Sequence, residues 1–282
     1  MTAVLITGTS SGIGRATVER LARRPDLTVY ATARKTESIA DLAATGARLL
    51  ALDVTDEASM RAAVATVEAA HGQVDVLVNN AGYGEYGPVE EVPVEQVRAQ
   101  FETNVFGLAR LTQLVLPGMR RAGRGRIVNV SSMGGRLVFP GGGYYHASKY
   151  AVEAISDALR QEVRPFGVQV AIVEPGLIRT GFGAVAAGRL QAVAAGTSGA
   201  GDAPAGPYAA LVGAVDRTMA QSYRNPLLAA GPDAVARVIE RAVTSRRPRT
   251  RYLVTAAARV MVHSRRLFGA RVFDAVNRLQ FR

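Results

Sequence analysis

The two side chains best suited to do chemistry in this sequence are Tyr145 and Lys149, which lie four residues apart. The apolar residues after them recur at helical spacing, and positions i and i+4 share one face of a helix. The phenol and the ammonium can therefore point into one cleft, where a cation favours the phenolate and makes Tyr145 a candidate proton donor or acceptor. Ser132 could add a hydroxyl that holds the reacting oxygen. An ordinary amphipathic helix surface is the alternative for a Tyr and a Lys at this spacing.

Composition limits the kinds of site that this chain can build. With 282 residues, 48% of them apolar, it suits one α/β domain with a large core. It has no Cys, which excludes disulfides, thiolate zinc sites and cysteine nucleophiles, and its three His are scattered, so no metal site is expected. The N-terminus lacks a basic signal region, and no run reaches the ~18–20 apolar residues of a transmembrane helix. We therefore expect a cytoplasmic protein.

The net charge of +11 is concentrated near the C-terminus. Residues 244–282 hold ten Arg and one acidic residue, whereas the other 243 residues carry 24 basic and 22 acidic side chains. No basic stripe with interleaved aromatic residues crosses those 243 residues, which argues against nucleic acid as a partner.

The beginning of the chain has the pattern of a strand, a glycine-rich turn and a helix. Ala3–Ile6 is an apolar run typical of a buried parallel strand, and it leads directly into Thr7–Gly14 and a helical pattern. This order presents backbone N–H groups and a helix N-terminus to a phosphate. Gly8 is expected to permit the tight turn, Gly12 to let the backbone approach a pyrophosphate, and Gly14 to let helix and strand pack closely.

Further apolar runs alternate with helical patterns, among them a long helical stretch over residues 101–116 that carries Asn104. This alternation, with short joints, predicts a doubly wound parallel sheet with right-handed crossovers. Ligands of such sheets bind beyond the carboxyl ends of the strands, where Gly8, Arg34, Asp53 and Asn80 all stand. We therefore expect a dinucleotide site. The predicted strands cover residues 3–6, 27–33, 47–52, 74–78, 126–130, 168–173 and 252–254.

The end of the second predicted strand bears on which dinucleotide would bind. An NAD site needs an acidic residue there to bind the ribose 2′-hydroxyl, and this chain has Ala33 and Arg34 instead. A basic residue suits a 2′-phosphate, and Arg15 at the start of the first helix could assist. NADP is therefore expected in preference to NAD. A solvated Arg after a strand is the alternative.

Six motifs, taken together and in this order, resemble the classical short-chain dehydrogenase/reductase family over about residues 1–182. The phrases Tyr30–Arg34 and Asn80–Gly84 look most like the branch that contains 17β-hydroxysteroid and retinol dehydrogenases. The resemblance implies an α/β fold, with a single Rossmann-like domain, about seven parallel strands and helices on both faces. It also implies a homodimer or homotetramer. The motifs are Thr7–Gly14, Asn79–Gly82, Asn104, Ser132, the Tyr145/Lys149 pair and Pro175–Thr180.

The resemblance also implies roles for particular residues. The catalytic set would be Asn104, Ser132, Tyr145 and Lys149, with Ser132 chosen over Ser131 because its separation from Tyr145 matches the family's interval. Lys149 would hold the nicotinamide ribose and lower the pKa of Tyr145, and Asn104 would hold a water that relays protons through Lys149. No metal is required. The cofactor would contact Gly8, Thr9, Ser10, Ser11, Gly12, Ile13, Gly14, Arg34, Asp53, Val54, Asn80, Ala81, Gly82, Tyr145, Lys149, Pro175, Gly176, Ile178 and Thr180.

Residues 1–255 are expected to form the catalytic domain, and residues 256–282 a basic amphipathic extension. Within the domain, residues 183–231 are rich in Ala, Gly and Pro; they could be a linker, but in the family this segment forms a lid over the substrate. The extension could pack on its own domain or on a second subunit, or it could adsorb reversibly to anionic lipid. Its apolar residues are Leu267, Phe268, Val272, Val276 and Leu279, and Arg259, Arg265, Arg266, Arg271 and Arg278 lie among them.

The leading interpretation is an NADP(H)-dependent oxidoreductase that acts on the CH–OH group of donors. It would exchange a hydride with a lipophilic alcohol or ketone, and Tyr145 would be the general acid/base. The alternatives are a non-catalytic dinucleotide sensor and a protein that binds a membrane or a partner through its basic tail. The lipophilic substrate is expected because the candidate pocket residues are mostly apolar, namely Tyr83, Tyr86, Met133, Val138, Phe139 and Phe182.

Overall fold

Seven parallel strands form the central sheet of the computed structural model, which describes residues 1–197 and 206–281. Their order is β3-β2-β1-β4-β5-β6-β9, so the chain winds outward from β1 in one direction and then from β4 in the other. The carboxyl ends on either side of this reversal form the crevice in which such sheets bind ligands. The strands are β1 (Thr2–Ile6), β2 (Leu27–Ala33), β3 (Arg48–Ala51), β4 (Val76–Asn79), β5 (Gly125–Val130), β6 (Val168–Glu174) and β9 (Arg251–Leu253), and a separate pair consists of β7 (Leu177–Ile178) and β8 (Ala229–Ala230).

Helices cover both faces of the sheet. On one face, α1 and α8 pack together over a core that includes Val18 and Ile239, whereas the core of the other face includes Val67 and Leu111 from α2 and α4. The central strands β1, β4 and β6 are buried almost throughout, which explains why their sequence shows nearly continuous apolar runs. The helices are α1 (Gly12–Leu21), α2 (Glu57–His71), α3 (Val94–Phe101), α4 (Leu108–Arg121), α5 (Gly143–Glu162), α6 (Gly181–Thr197), α7 (Ala209–Arg224), α8 (Pro232–Thr244) and α9 (Ala256–Gln280).

The helix expected over residues 101–116 is divided in the structure, so that expectation is wrong in detail. Between α3 and α4, residues Glu102–Gly107 form a π-helical segment that carries Asn104. A Cβ on Gly107 would collide with the main chain of Val54, so the absence of a side chain lets this segment lie against the loop after β3. A π-helical turn of this kind shifts the side chains that follow it and often marks a functional site.

The Ala- and Gly-rich segment after β6 contains two long helices, α6 and α7. The parallel pairing of Leu177 with Ala229 and of Ile178 with Ala230 fixes the two ends of this segment next to one another. Residues 198–205 of the expected lid and Arg282 of the expected extension lie outside the described residues. Alanine is the strongest helix former, which accounts for helix α6, whose apolar periodicity is weak.

The last helix, α9, changes direction at Gly269, whose φ is +75°. Its first half packs through Ala258 and Val262 against Leu137, and its second half returns over Phe139 through Phe273. Among the helices of residues 1–197 and 206–281, none is long and apolar enough to cross a membrane.

Candidate active site

Helix α5 places Tyr145 and Lys149 on one buried face, one turn apart. The exposed fraction of Tyr145 is 7% and that of Lys149 is 6%. The Nζ of Lys149 donates a hydrogen bond of 3.0 Å to the main-chain oxygen of Val130, at the end of β5. The Tyr145 ring lies between two other aromatic rings, with centroid distances of 5.7 Å to Tyr86 and 5.3 Å to Phe182.

Burial shifts the pKa of both groups toward their neutral forms. It raises the pKa of Tyr145 to about 12, against the opposing hydrogen bond of the Ser132 side chain. It lowers the pKa of Lys149 to about 8, against the attraction of the Glu153 carboxylate. A lowered pKa for Tyr145 was expected from the sequence, and in this structure the direction is the opposite because the desolvation of a fully buried phenol is the larger effect.

Ser132 lies at the end of β5, where its Oγ accepts a hydrogen bond of 3.0 Å from the backbone N–H of Gly134. His146, the residue after Tyr145, holds the same loop at two points. Its Nε2 accepts from the N–H of Phe139 at 3.1 Å, and its Nδ1 lies 3.0 Å from the oxygen of Gly134, to which it donates. Burial lowers the pKa of His146 to about 4, so this ring is neutral and acts as a fixed brace near neutral pH.

The amide of Asn104 links the loop after β4 to helix α5. Its Oδ1 accepts from the N–H of Tyr83 at 3.0 Å, and its Nδ2 donates to the oxygen of Tyr83 at 2.9 Å and to the Oγ of Ser148 at 3.0 Å. The side chain thus ties together two elements that carry pocket residues. The water relay expected of Asn104 stays a prediction, and it has to be compatible with these three bonds.

The glycine-rich turn has the backbone that the sequence predicts. Gly8 and Gly12 both have positive φ, at +68° and +58°, and a Cβ on Gly8 would lie 2.8 Å from the Cα of Ala81. Gly14 packs so closely on Gly8 that a side chain would collide with the oxygen of Gly8. Helix α1 begins after Ser11 with no side-chain cap, so its first N–H groups face the cavity and fit the phosphates of a dinucleotide.

One continuous cavity of about 1470 Å³ runs across the carboxyl ends of the strands. All the residues expected to contact the cofactor line it except Thr9 and Gly14. Thr9 is buried under the turn and hydrogen-bonded to the oxygen of Thr32. Of the expected catalytic set, Asn104 lies behind the cavity wall. The expected residues that line the cavity are Gly8, Ser10, Ser11, Gly12, Ile13, Arg34, Asp53, Val54, Asn80, Ala81, Gly82, Ser132, Tyr145, Lys149, Pro175, Gly176, Ile178 and Thr180.

The end of the cavity beyond β2 is basic, and Arg34 lines it. Lys35 and Ser38 line it as well, and the sequence analysis missed both. Arg15 does not reach this end. Its guanidinium pairs with Asp41 and lies 3.1 Å from Glu19, so the expectation that it assists in binding a 2′-phosphate is not supported.

The opposite end of the cavity is apolar and is covered by α6, α7 and the end of the chain. Of the expected pocket residues, Tyr83, Tyr86, Met133, Phe139 and Phe182 line it, whereas Val138 is 47% exposed and does not. Few signals in the sequence mark the other members, because they come from elements distant along the chain. The missed residues are Val185, Arg189, Val215, Thr218, Met219, Ser222, Tyr223, Met261, Gln280 and Phe281.

Arg189 joins the covering helix α6 to the loop after β4. Its guanidinium lies 3.6 Å from a carboxylate oxygen of Glu85 and 5.7 Å from the centre of the Tyr83 ring. The Glu85 side chain is fully buried, neither of its oxygens has a hydrogen bond among the described residues, and burial raises its pKa. This contact makes Arg189 the counter-charge of the Glu85 carboxylate, and no other cation lies within 4 Å of it in the described part of the chain.

A second charged cluster lies behind the cavity, between α5, β6 and β9. Arg251 contacts Glu174 at 3.1 Å and Glu153 at 3.1 Å, and Arg136 contacts Glu174 at 3.0 Å. Glu174 is fully buried and immediately precedes the cavity residue Pro175. Burial and the neighbouring Glu174 raise the pKa of Glu153.

The sequence profile described as short chain dehydrogenase matches residues 2–188, about two thirds of the chain. The chain therefore belongs to the short-chain dehydrogenase/reductase family and is an oxidoreductase of that family. The nucleotide-binding Rossmann-like fold of seven parallel strands agrees with this assignment, and confirms the fold and the family predicted from the sequence. The narrower likeness to 17β-hydroxysteroid and retinol dehydrogenases stays a prediction.

Solved structures of this family superpose on the chain. A short-chain dehydrogenase from Streptomyces avermitilis is 38% identical, with a TM-score of 0.78 over 95% of this chain and 93% of that one. A family member from Burkholderia phymatum in complex with NAD is 27% identical, with a TM-score of 0.75 over 95% of each chain. The closed form of a serine dehydrogenase complexed with NADP⁺ is 27% identical, with a TM-score of 0.74 over 89% of this chain and 94% of that one.

Two relatives known by sequence match the chain over different lengths. A 3-ketodihydrosphingosine reductase of Bacteroides thetaiotaomicron is 45% identical over 180 residues, which are 64% of this chain and 65% of that protein. The oxidoreductase YbbO of Escherichia coli K12 is 35% identical over 279 residues, 97% of this chain and 93% of that one.

Proposed function

We propose that the protein is an NADP(H)-dependent dehydrogenase/reductase that acts on a lipophilic alcohol or ketone. The observation that carries the proposal is the meeting of two features in one cavity. The Tyr145, Lys149 and Ser132 side chains line the same cavity as a glycine-rich phosphate cradle and an apolar chamber. The nicotinamide ring of a bound cofactor would supply or accept the hydride.

In the proposed reaction Tyr145 is the general acid/base. During reduction its hydroxyl gives a proton to the oxygen of the carbonyl, and Ser132 donates a hydrogen bond that holds the same oxygen. A pKa of about 12 keeps Tyr145 protonated, which suits a proton donor. During oxidation Tyr145 must lose that proton, and the positive charge of Lys149 one turn away favours the anion. Asn104 completes the proposed set by holding the Tyr83 loop and, through the water relay, by returning protons.

The preference for NADP over NAD is proposed from the basic end of the cavity. Arg34 and Lys35 offer two cations, and the Ser38 hydroxyl a further hydrogen bond, where an NAD-binding site would present an acid to the ribose 2′-hydroxyl. A 2′-phosphate there would gain charge-assisted hydrogen bonds. Family members of known structure bind either cofactor, so the argument depends on these three side chains.

A lipophilic substrate with a polar group at its far end fits the chamber beyond Tyr145. Aromatic and aliphatic side chains such as Phe182, Val215 and Met219 form its walls, and Arg189 and Ser222 lie among them. The Bacteroides relative is named as a reductase of 3-ketodihydrosphingosine, and this name supports a lipophilic ketone as the substrate of the present chain. We propose in addition that the protein is a cytoplasmic homodimer or homotetramer, because members of this family are commonly oligomeric.

A substrate panel followed by the absorbance of the reduced cofactor tests the proposal. Long-chain and cyclic ketones would be compared with short polar ketones, each with NADPH and with NADH, and Tyr145→Phe serves as the control for background reduction. We expect turnover with NADPH on the lipophilic ketones and turnover lower by about a hundredfold or more with Tyr145→Phe. Binding of NADPH without turnover on any ketone or alcohol would favour a non-catalytic dinucleotide sensor instead.

A further inference from the structure

Two rows of side chains run along the second half of α9 and its C-terminal cap Phe281, and one of them packs against the protein. The inner stripe is Phe273, Asn277 and Phe281. The Phe273 and Phe281 rings lie 5.9 and 6.3 Å from the ring of Phe139, and Asn277 donates to the oxygen of Val138 at 3.4 Å. These contacts fix the rotation of the helix about its axis.

The other stripe faces outward. Val272, Val276 and Leu279 follow one another at helical spacing and are 50%, 55% and 67% exposed, and Leu267 and Phe268, just before the break at Gly269, are 77% and 60% exposed. We call these five residues the outer row. Because the inner stripe is held by the domain, Val272, Val276 and Leu279 cannot turn inward without loss of the contacts to Phe139.

Arginines flank the outer row on the side away from the body of the protein. At 100° per residue, Arg271 and Arg278 lie one above the other about 110° from the centre of the row. Arg266 is also exposed at the break, whereas the Arg265 guanidinium lies 5.9 Å from the centre of the Phe273 ring. Residues 256–281 contain a single acidic residue, Asp274. The row and its flank therefore present apolar surface beside positive charge.

The structure also divides the basic C-terminal region into parts with different surroundings. Arg251 belongs to the buried cluster with Glu153 and Glu174. Arg246 and Arg247 precede the first residue of β9, at the amino edge of the sheet and thus opposite the cavity. The positive charge beside the outer row comes from α9 itself.

We propose that the outer row of α9 and its arginines form a surface that adsorbs to the headgroups and outer acyl region of an anionic bilayer. Exposed apolar side chains that project beside cations match the chemistry of such a surface. A second copy of this chain matches it less well. If two α9 helices paired antiparallel about a two-fold axis, the arginine side of one helix would lie against the arginine side of the other. Arg271 and Arg278 would then repel the same two residues of the second copy.

Adsorption would bring the substrate end of the cavity to the lipid surface. Met261, Gln280 and Phe281 line that end and belong to α9 or directly follow it. A lipophilic molecule could then pass between bilayer and chamber without crossing water. This consequence rests on the proposed function, whereas lipid binding itself does not.

Sedimentation with vesicles, which needs no turnover, tests the proposal. The full-length protein is mixed with vesicles of phosphatidylglycerol and phosphatidylcholine, or of phosphatidylcholine alone, at low and high salt. We expect binding to the anionic vesicles only, weakened by salt. Val272→Glu/Val276→Glu and Arg271→Glu/Arg278→Glu should each reduce the partition coefficient by about tenfold or more, since a charge near the surface contributes about fivefold.

Two matched controls separate the outer row from general effects of charge. Val94→Glu changes a valine of α3 that is also 50% exposed, and Arg246→Glu/Arg247→Glu makes the same change of net charge at the other edge of the sheet. Both should bind as the wild type does. Full-length protein that stays in the supernatant with anionic vesicles overturns the proposal, and so do controls that lose as much binding as the row variants.

A fluorescent reporter covers the case in which a row variant fails to fold. The chain has no Trp, so Leu279→Trp and Val94→Trp each introduce a single reporter. Anionic vesicles should shift the emission of the Leu279→Trp variant to the blue and leave that of the Val94→Trp control unchanged. A blue shift of Leu279→Trp that depends on protein concentration and needs no vesicles shows that a second copy covers the row, and it overturns the membrane assignment.

Discussion

The Nζ of Lys149 donates to the main-chain oxygen of Val130 at 3.0 Å, and this bond holds the cation at the end of β5, two residues before Ser132. The bond leaves Lys149 two further donors, enough for the ribose contacts proposed for it. Lys149 is thus positioned by the sheet as well as by α5. A substitution there should disturb cofactor binding and proton transfer together.

Tyr145→Phe and Lys149→Met distinguish these two roles. Tyr145→Phe keeps the ring packed against Tyr86 and Phe182 and removes the proton that is transferred. Turnover should fall by about 10²- to 10⁴-fold while the dissociation constant for NADPH stays within about twofold. Lys149→Met should lower both turnover and the affinity for NADPH. Steady-state kinetics and cofactor titration measure the two effects, and a Tyr145→Phe enzyme with near wild-type turnover would show that another group is the acid.

Arg34→Ala should weaken NADPH binding much more than NADH binding. Loss of a charge-assisted contact to phosphate corresponds to about tenfold or more in affinity. Arg15→Ala is the control, because Arg15 is paired with Asp41 and Glu19 outside the cavity and should change either affinity very little. Fluorescence titration of both cofactors gives the dissociation constants for each protein. Equal losses for NADPH and NADH in Arg34→Ala contradict the assignment of the 2′-phosphate site.

The neutral, buried His146 should make the fold sensitive to acid. Its folded pKa of about 4 lies below the ordinary value of 6.5, so the unfolded chain binds a proton first as the pH falls. The stability that depends on neutral His146 is complete above pH ~6.5 and is lost progressively down to pH ~4, by up to about 3 kcal/mol. His146→Gln should be less stable than wild type at pH 8, and the difference should shrink as the pH falls. Urea unfolding at several pH values measures the difference in unfolding free energy between the two proteins. A difference that does not change with pH would show that protonation of His146 is not the cause of the acid sensitivity.

Arg251→Met should destabilise the fold because it leaves Glu174, which is fully buried, with Arg136 alone as the cation within 4 Å in the described chain. Removal of one partner from a buried charge cluster costs about 3–5 kcal/mol. Arg246→Met, an exposed position just before the same strand, is the matched control and should change the unfolding free energy by less than about 0.5 kcal/mol. Urea denaturation monitored by circular dichroism compares the three proteins. Similar midpoints for all three would mean that the cluster contributes little.

The sheet could be predicted from the sequence because each of its strands is a short apolar run next to a turn. The residues at the strand ends, such as Gly8 and Asn80, followed from the same pattern. Arg15 was misjudged because its partner Asp41 is distant in sequence and belongs to a 3₁₀ segment that no periodicity marks. Lys35 and Ser38, which line the cavity, lie at the beginning of the same 3₁₀ segment.

The covering elements were harder to predict for physical reasons. Helix α6 is made largely of Ala and Gly, so it shows weak apolar periodicity although its alanines favour a helix. The excess of arginine in the C-terminal region is visible in the sequence. The composition does not show, however, that Arg251 forms buried ion pairs with Glu153 and Glu174. Only the fold shows which of these arginines lie beside an exposed apolar surface.

The pairing of β7 with β8 makes the part of the chain that covers the apolar end of the cavity replaceable. The chain leaves the body of the protein after Ile178 and returns at Ala229, and the two points are neighbours in one small sheet. The loop that closes between them can change in length or composition at little cost in closure entropy, since that cost grows only with the logarithm of length. A graft of the corresponding segment from another family member, joined at Gly181 and Leu228, would therefore replace the part of the chamber wall that α6 and α7 supply and leave the dinucleotide-binding half unchanged.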